Sequence, residues 1–138
     1  MTMKYVLGID TSCYTTSFAV VSLEGQIIYN SQVLLDVEKG KLGLRQSNAI
    51  FKHLQNIPNI TNGLKNIIDP QKIVVVSSTT RPRPLADSYM PVFLVSTTLG
   101  RVLSDFLKTP FCPVSHQECH IAAGRFSAGG PNEDEFLA

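Results

Sequence analysis

Short apolar runs open this chain, each too brief for a helix and each closed by polar residues. Tyr5 to Ile9 is apolar and rich in strand formers and stops at Asp10-Thr11-Ser12, which predicts a buried strand and a polar turn. Ser17 to Val21 predicts a second strand. Glu24-Gly25 is a turn signal, and Gln26 to Val33 predicts a third strand, with Ile27, Tyr29 and Ser31 on one face and Ile28, Asn30 and Gln32 on the other. The segment reads as an antiparallel meander.

The period then changes. Glu38 to Gly43 is charged and glycine-rich and predicts a loop. Ile50, Leu54 and Ile57 recur on one face of a helix over Arg45 to Asn56, and Asn59 to Ile68 predicts a further short helix beyond Pro58. Lys72 to Val76, nearly all apolar and β-branched, suits a parallel strand covered on both faces. Ser77 to Asp87 is polar and predicts a loop. Pro91 to Leu107 is the longest helix, with Val92, Val95, Leu99, Val102, Leu103 and Phe106 on a broad apolar face. Phe111 to Val114 predicts a short strand, with Pro113 arguing for an edge, and His116 to Arg125 a last helix capped by Ser115.

The order β-β-β-α-(α)-β-α-β-α predicts an α/β fold: a mixed five-stranded sheet, three strands antiparallel and two parallel, with helices on both faces. Ribonuclease-H-like folds and each lobe of actin-like ATPases have this order, an analogy of fold that leaves function open. Gly129 to Asn132 predicts a loop, and Phe136-Leu137-Ala138 the opening of another strand. We therefore expect residues 1–138 to form a single domain, the first lobe of a two-lobed fold whose second lobe lies outside this chain.

Composition narrows this picture. With 43% hydrophobic and 17% charged residues, the chain can build a core. A formal net charge of +1 does not demand a nucleic-acid surface, although it leaves room for a local basic patch. Cys13, Cys112 and Cys119, odd in number and irregular in spacing, read as reduced thiols rather than a disulfide scaffold. The first apolar run is too short for a signal peptide, and no stretch reaches the length of a membrane span. The cytoplasm is the expected location, with no membrane partner.

Three groups of residues carry candidate chemistry. His116 and His120 stand four apart, on one side of a helix, so both imidazoles can reach one ion, Zn²⁺ or Fe²⁺ by ligand type. The alternative is a helix with two scattered histidines. Glu118 does not adjoin the first histidine, so this is not the metalloprotease pattern. Asp10, Thr11 and Ser12 sit at the carboxyl end of the first strand, where α/β sheets place ligand groups, and Cys13 to Thr16 offer hydroxyls and backbone N–H groups to a phosphate. An ordinary polar turn would look the same. Arg81-Pro82-Arg83-Pro84 projects two spaced cations, and Lys41, Arg45, Lys52 and His53 form either a basic edge or a solvated face.

The run from Leu7 to Val21, with Gly8-Ile9-Asp10-Thr11-Ser12-Cys13 at its centre, resembles the opening signature of the TsaD family, formerly called glycoproteases or O-sialoglycoprotein endopeptidases. Asp10 stands where that family has Glu, and Tyr14-Thr15 replaces an Asp-Glu pair. Leu94-Val95, Leu99-Gly100-Arg101, Leu103, Pro110 and Pro113-Val114-Ser115-His116 with His120 resemble the helix, strand and HxxxH that follow in the family. Arg81 to Pro84 departs from its Gly-Pro-Gly loop, and Leu44 to Ala49 from its Pro-Glu-x-x-Ser-Arg stretch, as in a divergent paralogue.

The resemblance implies a lobe of a tRNA threonylcarbamoyltransferase, moving a threonylcarbamoyl group to N6 of adenosine 37. The fragment alone is expected to be inactive. His116 and His120 would then be ligands to Fe or Zn, Asp10 the catalytic group, and Thr11, Ser12, Thr15 and Thr16 the contacts to ATP or threonylcarbamoyl-adenylate. The implied partners are tRNA and a related paralogue, or a second copy, docked through first-lobe helices. The alternatives are a non-catalytic scaffold paralogue, a protein carrying the old glycoprotease-like metallopeptidase label, and an actin-like phosphotransferase.

Overall fold

The computed structural model describes residues 3–12, 14–37, 40, 43 and 45–129. Three strands come first: β1 (Tyr5–Ser12), β2 (Thr15–Ser22) and β3 (Ile27–Leu34). The helix α1 (Gln46–Leu64) follows, then a 3-10 turn at Pro70–Lys72, β4 (Ile73–Arg81), α2 (Phe93–Leu107), β5 (Phe111–Ser115) and α3 (His116–Ala128). The strands form one sheet in the order β3-β2-β1-β4-β5. β1 pairs antiparallel with β2 and parallel with β4, and β5 joins β4 in parallel. This is the mixed five-stranded sheet expected from the element order.

Strict alternation in β1 decides the two faces. Tyr5, Leu7, Ile9 and Thr11 are buried, while Val6, Gly8, Asp10 and Ser12 are only half-buried. The buried set meets α1 and α2: Leu7, Ile9, Phe18, Val20, Ile60 and Val76 form the core, with Ile57, Leu64, Leu99 and Leu103 packed on it. Burying Phe18 and Val20, at 1% and 0% exposure, contributes about 1.5–3 kcal/mol each. α3 lies over the opposite face, where Cys119, His120 and Ala123 share a cleft with Gly8, Asp10, Ser17, Asn30 and Gln32.

Four expectations need correction. The two helices separated at Pro58 are one, because Pro58 sits inside α1. A mid-helix proline removes one backbone hydrogen bond, and here the inward burial of Ile57, Ile60 and Leu64 on either side outweighs it. The loop beginning at Ser77 is still strand as far as Arg81, because it is paired with β1 on one side and β5 on the other; Ser77 donates to the Cys112 carbonyl and Thr79 to Asp10. The faces of β3 do not alternate throughout. The pairing steps from Val20↔Tyr29 to Val21↔Ile27, so Ile28 is an extra residue and turns inward together with Tyr29, leaving Ile27 exposed. Finally, the broad apolar face of α2 is divided: Val92 and Val95 are buried, but Val102 and Phe106 are exposed, Phe106 at 84%. The loop expected over Glu38 to Gly43 falls outside the described residues except for Gly40 and Gly43, and the strand expected at Phe136 lies wholly outside them.

No described helix is long and apolar enough to cross a membrane.

Candidate functional site

The site gathers at the carboxyl ends of β1, β4 and β5. Ser115 ends β5 and starts α3 through a capping box: its hydroxyl accepts from the Glu118 backbone N–H at 3.1 Å, and its own N–H donates to Glu118 Oε2 at 2.6 Å. The Ser115 backbone N–H, with a smaller contribution from its hydroxyl, holds the Glu118 carboxyl below the usual carboxylate range. The cap fixes where the helix begins, and so puts His116 on its first turn, beside the end of β1.

His116 Nδ1 lies 2.9 Å from Asp10 Oδ2, and His116 Nε2 lies 2.8 Å from His120 Nε2. The two rings are edge-on, with centroids 4.3 Å apart. Asp10 Oδ1 accepts a hydrogen bond from Thr79 Oγ1 at 2.8 Å. Both carboxylate oxygens are therefore engaged. The cleft in front of the pair, about 400 Å³, is lined by Asp10, Ser12, Tyr14, Thr15, Ser17, Gln32, Met90 and Phe93 as well as the histidines.

Two nitrogens bound to one tetrahedral or octahedral ion stand roughly 3 Å apart, given bonds of about 2.0–2.1 Å. The histidine pair fits that spacing with a small opening of the rings. Asp10 is turned to Nδ1 of His116, the nitrogen away from the pair, so it orients the ligand instead of completing the set. Among the described residues no group of three His, Cys, Asp or Glu side chains converges as a metal site. A third ligand would have to come from another segment.

The hydroxyls proposed for nucleotide contact divide by strand alternation. Ser12 and Thr15 are half-buried and line the cleft. Thr11 and Thr16 point into the core, each at 0% exposure. Thr11 Oγ1 donates to the Val92 carbonyl at 2.9 Å and accepts from the Ser96 backbone N–H at 3.1 Å. Thr16 Oγ1 meets His53 Nδ1 at 2.7 Å and accepts from Asn56 Nδ2 at 3.1 Å. These two threonines tie helices to the hairpin and have no free hydroxyl for a ligand. Cys13 lies outside the described residues.

Neither a basic edge nor a solvated face describes the α1 group as a whole, because one of its members is buried. His53 is fully buried, and burial pushes its pKa below the ordinary value, against smaller pulls from the Ser12 backbone and the Asp10 charge. Lys52 donates to the Asp36 carbonyl, and Lys41 lies outside the described residues. Nor do Arg81 and Arg83 project as a pair. Arg81 closes β4 beside Ser115 with its Nε enclosed, while Arg83 is exposed. Cys112 and Cys119 are free thiols, and burial pushes the Cys119 thiol up to about 11, so it stays protonated near neutral pH. Thr79 was missed in the sequence because Ser77 to Thr80 read as a polar loop.

No family model matches the chain. It is 34% identical over 119 residues to the tRNA N6-adenosine threonylcarbamoyltransferase of Thermotoga neapolitana, covering 86% of this chain and 35% of that protein. With the enzyme of the same name from Neorickettsia sennetsu it shares 30% identity over 125 residues, covering 91% and 36%. The chain thus spans about a third of the length of these curated relatives. Two solved structures from Pseudomonas aeruginosa have a similar fold: YeaZ, at a TM-score of 0.55, and an uncharacterised protein similar to peptidase YeaZ, at 0.59. Each is 15% identical and is matched over 89% of this chain and 50% of its own, a likeness of fold alone.

Proposed function

We propose that this chain, 34% identical over 119 residues to a tRNA N6-adenosine threonylcarbamoyltransferase, belongs to that family as a docking lobe that pairs with another of its members and is not a transferase complete in itself. The observation that carries this reading is a pair of apolar stripes. On α1, Ile50, Leu54 and Pro58 recur every four residues, with Phe51 and Leu54 exposed at 61% and 55%. On α2, Leu94, Thr98, Val102 and Phe106 do the same, with Leu94 and Phe106 exposed at 52% and 84%. A shallow groove of about 420 Å³ runs between the stripes. Ridges spaced by four residues interlock with ridges of the same kind, so a second pair of helices from this fold is the occupant that matches. Contiguous exposed apolar surface of this sort marks an association site.

The test mixes the chain with a full-length transferase of the family and follows sedimentation. A complex is expected with the parent, and its loss with Leu54→Glu or Val102→Glu, both of which should remain folded because these side chains already face water. A parent that sediments independently of the transferase, or variants that bind as well as the parent, would overturn the reading.

The hydrogen-bonded chain from Asp10 through His116 to His120 favours a second reading, in which this lobe supplies half of a metal site within a longer protein. His116 and His120 would hold Zn²⁺ or Fe²⁺ through Nε2, and a metal there supplies Lewis acidity toward an acyl donor such as threonylcarbamoyl-adenylate. Asp10 keeps His116 turned toward the cleft, and Ser12 and Thr15 offer their hydroxyls to the donor's phosphate. Adenosine of tRNA would be the acceptor. Zinc titration of the parent against His120→Ala, read by calorimetry, tests the pair. Equal affinity in both proteins would remove it.

A further inference from the structure

We propose that Thr79 is a positioning residue: through Asp10 it sets the tautomer of His116, so that the ring's Nε2 lone pair faces His120. The inference deepens the metal-site reading and takes its functional purpose from it, but its core claim concerns the protein with nothing bound.

Hydrogen-bond accounting leads to it. A carboxylate has no proton to give, so Thr79 Oγ1 must donate to Asp10 Oδ1 across 2.8 Å, and His116 Nδ1 must carry the proton shared with Asp10 Oδ2 across 2.9 Å. A neutral imidazole protonated at Nδ1 has its lone pair at Nε2. His120 Nε2, 2.8 Å away, is then the donor of that contact. The polarity of the whole chain therefore follows from one hydroxyl and one carboxylate.

Thr79 is well held for this task. It is completely buried, in the strand beside β1, where the parallel register pairs Ile9 with Ser78 and brings Asp10 level with it. Ser96 on α2, also at 0% exposure, lies 3.1 Å from Thr79 Oγ1 and donates to the Thr79 carbonyl at 2.5 Å. Ser96 in turn is anchored by its N–H on Thr11 Oγ1. An aspartate with a free oxygen can turn about its χ2 torsion, which is broad. With Oδ1 tied to Thr79, Oδ2 stays aimed at His116.

The experiment records the long-range proton–nitrogen spectrum of the histidine rings in ¹⁵N-labelled, metal-free protein at mildly alkaline pH. The parent is expected to show His116 protonated at Nδ1. Thr79→Val, which keeps the shape and removes the hydroxyl, should shift His116 toward a mixture of tautomers, while Thr79→Ser restores the parental pattern. Should Thr79→Val fail to fold, Ser96→Ala removes the hydroxyl that steadies Thr79 and carries the same expectation. A parent with His116 protonated at Nε2, or a folded Thr79→Val protein with the parental pattern, would overturn the proposal. Zinc titration separates it from the reading it rests on. Losing the direct outer partner of a ligand typically lowers metal affinity about 10- to 100-fold; Thr79 bonds to that partner, Asp10, and Thr79→Val should lower affinity by a smaller factor, up to about 10-fold. A parent that binds zinc no better than His120→Ala but shows the expected tautomer removes the metal-site reading and leaves the positioning role standing.

Discussion

Gly100 is where α2 comes closest to the sheet, and replacing it with alanine tests how tightly that helix is seated. A Cβ built there meets Phe111 Cε2 and Ser78 Oγ at 2.7 Å and Ser78 Cβ at 3.0 Å. Ordinary contacts between such atoms are about 3.5–4.0 Å. The ring of Phe111 or the buried Ser78 must therefore move by most of an ångström, or α2 must lift from β4 and β5. Two effects oppose each other. Alanine is favoured over glycine inside a helix by about 1 kcal/mol. Forcing an extra carbon into a packed layer costs about 1–3 kcal/mol. Both neighbours are hindered here, since Ser78 is only 1% exposed and Phe111 is held under Arg101, whose guanidinium lies 5.8 Å from the ring centroid. We expect the steric cost to win, for a net loss of up to about 2 kcal/mol. With a urea dependence of roughly 1.5 kcal/mol per molar, the midpoint should fall by up to about 1.3 M. Gly124→Ala is the control. It lies within α3, where an added Cβ meets nothing within 4 Å, so the helical preference acts alone and the midpoint should rise. If Gly100→Ala also raises the midpoint, α2 does not sit against Ser78 and Phe111 as described.

His53 should make stability depend on pH. Its pKa is lowered on folding, chiefly by burial, so the unfolded chain binds the proton more readily. The contribution is whole above the unfolded value of about 6.5 and is lost as pH falls through the depressed folded value. Urea midpoints of the parent should drop across that window, and those of His53→Gln should drop less; equal pH profiles would refute the assignment. Ser115→Ala removes the cap of α3 and should cost about 1 kcal/mol at neutral pH. The Ser115 backbone N–H, which alanine keeps, is the main cause of the lowered Glu118 pKa, so only the smaller part of this cost that comes through the hydroxyl should shrink as acid protonates Glu118.

Much of the sheet was legible because its inward residues are apolar and its turns are marked. β1, β2 and β4 declared themselves through runs such as Leu7 to Ile9, Phe18 to Val21 and Ile73 to Val76. What escaped was polar residues used inside the protein. Ser78, Thr79, Ser96 and Ser104 are all buried, and each has the composition of a surface residue. The hydroxyls of Thr79 and Ser96 meet their partners only after the chain has folded; for Thr79, Asp10 comes from 69 residues away. Local periodicity has no access to such a partner. The same limit applies to Pro58, a stop signal by local rules, which the buried residues around it override. The histidines were legible as a pair, since a spacing of four needs no tertiary information, whereas the tie to Asp10 spans 106 residues.

The hairpin at the end of β1 joins the two proposed surfaces mechanically. Alternation sends Asp10, Ser12, Thr15 and Ser17 toward the cleft and Thr11 and Thr16 toward the helices. Thr11 grips α2 through Val92 and Ser96, and Thr16 grips α1 through His53 and Asn56. A shift of either helix therefore pulls on residues adjacent in sequence to those that line the cleft. Ser96 adds a shorter route, because it also steadies Thr79 and through it Asp10. The outer faces of the same two helices carry the apolar stripes. A partner that moved α1 or α2 on docking would act on the cleft through buried hydroxyls, whereas one that bound both helices in their present positions would leave Asp10 and His116 unchanged. The tautomer of His116, recorded with and without the partner, distinguishes the two: a shared change would mean that assembly and site are coupled, and an unaltered spectrum that the docking face and the cleft are independent features of one lobe.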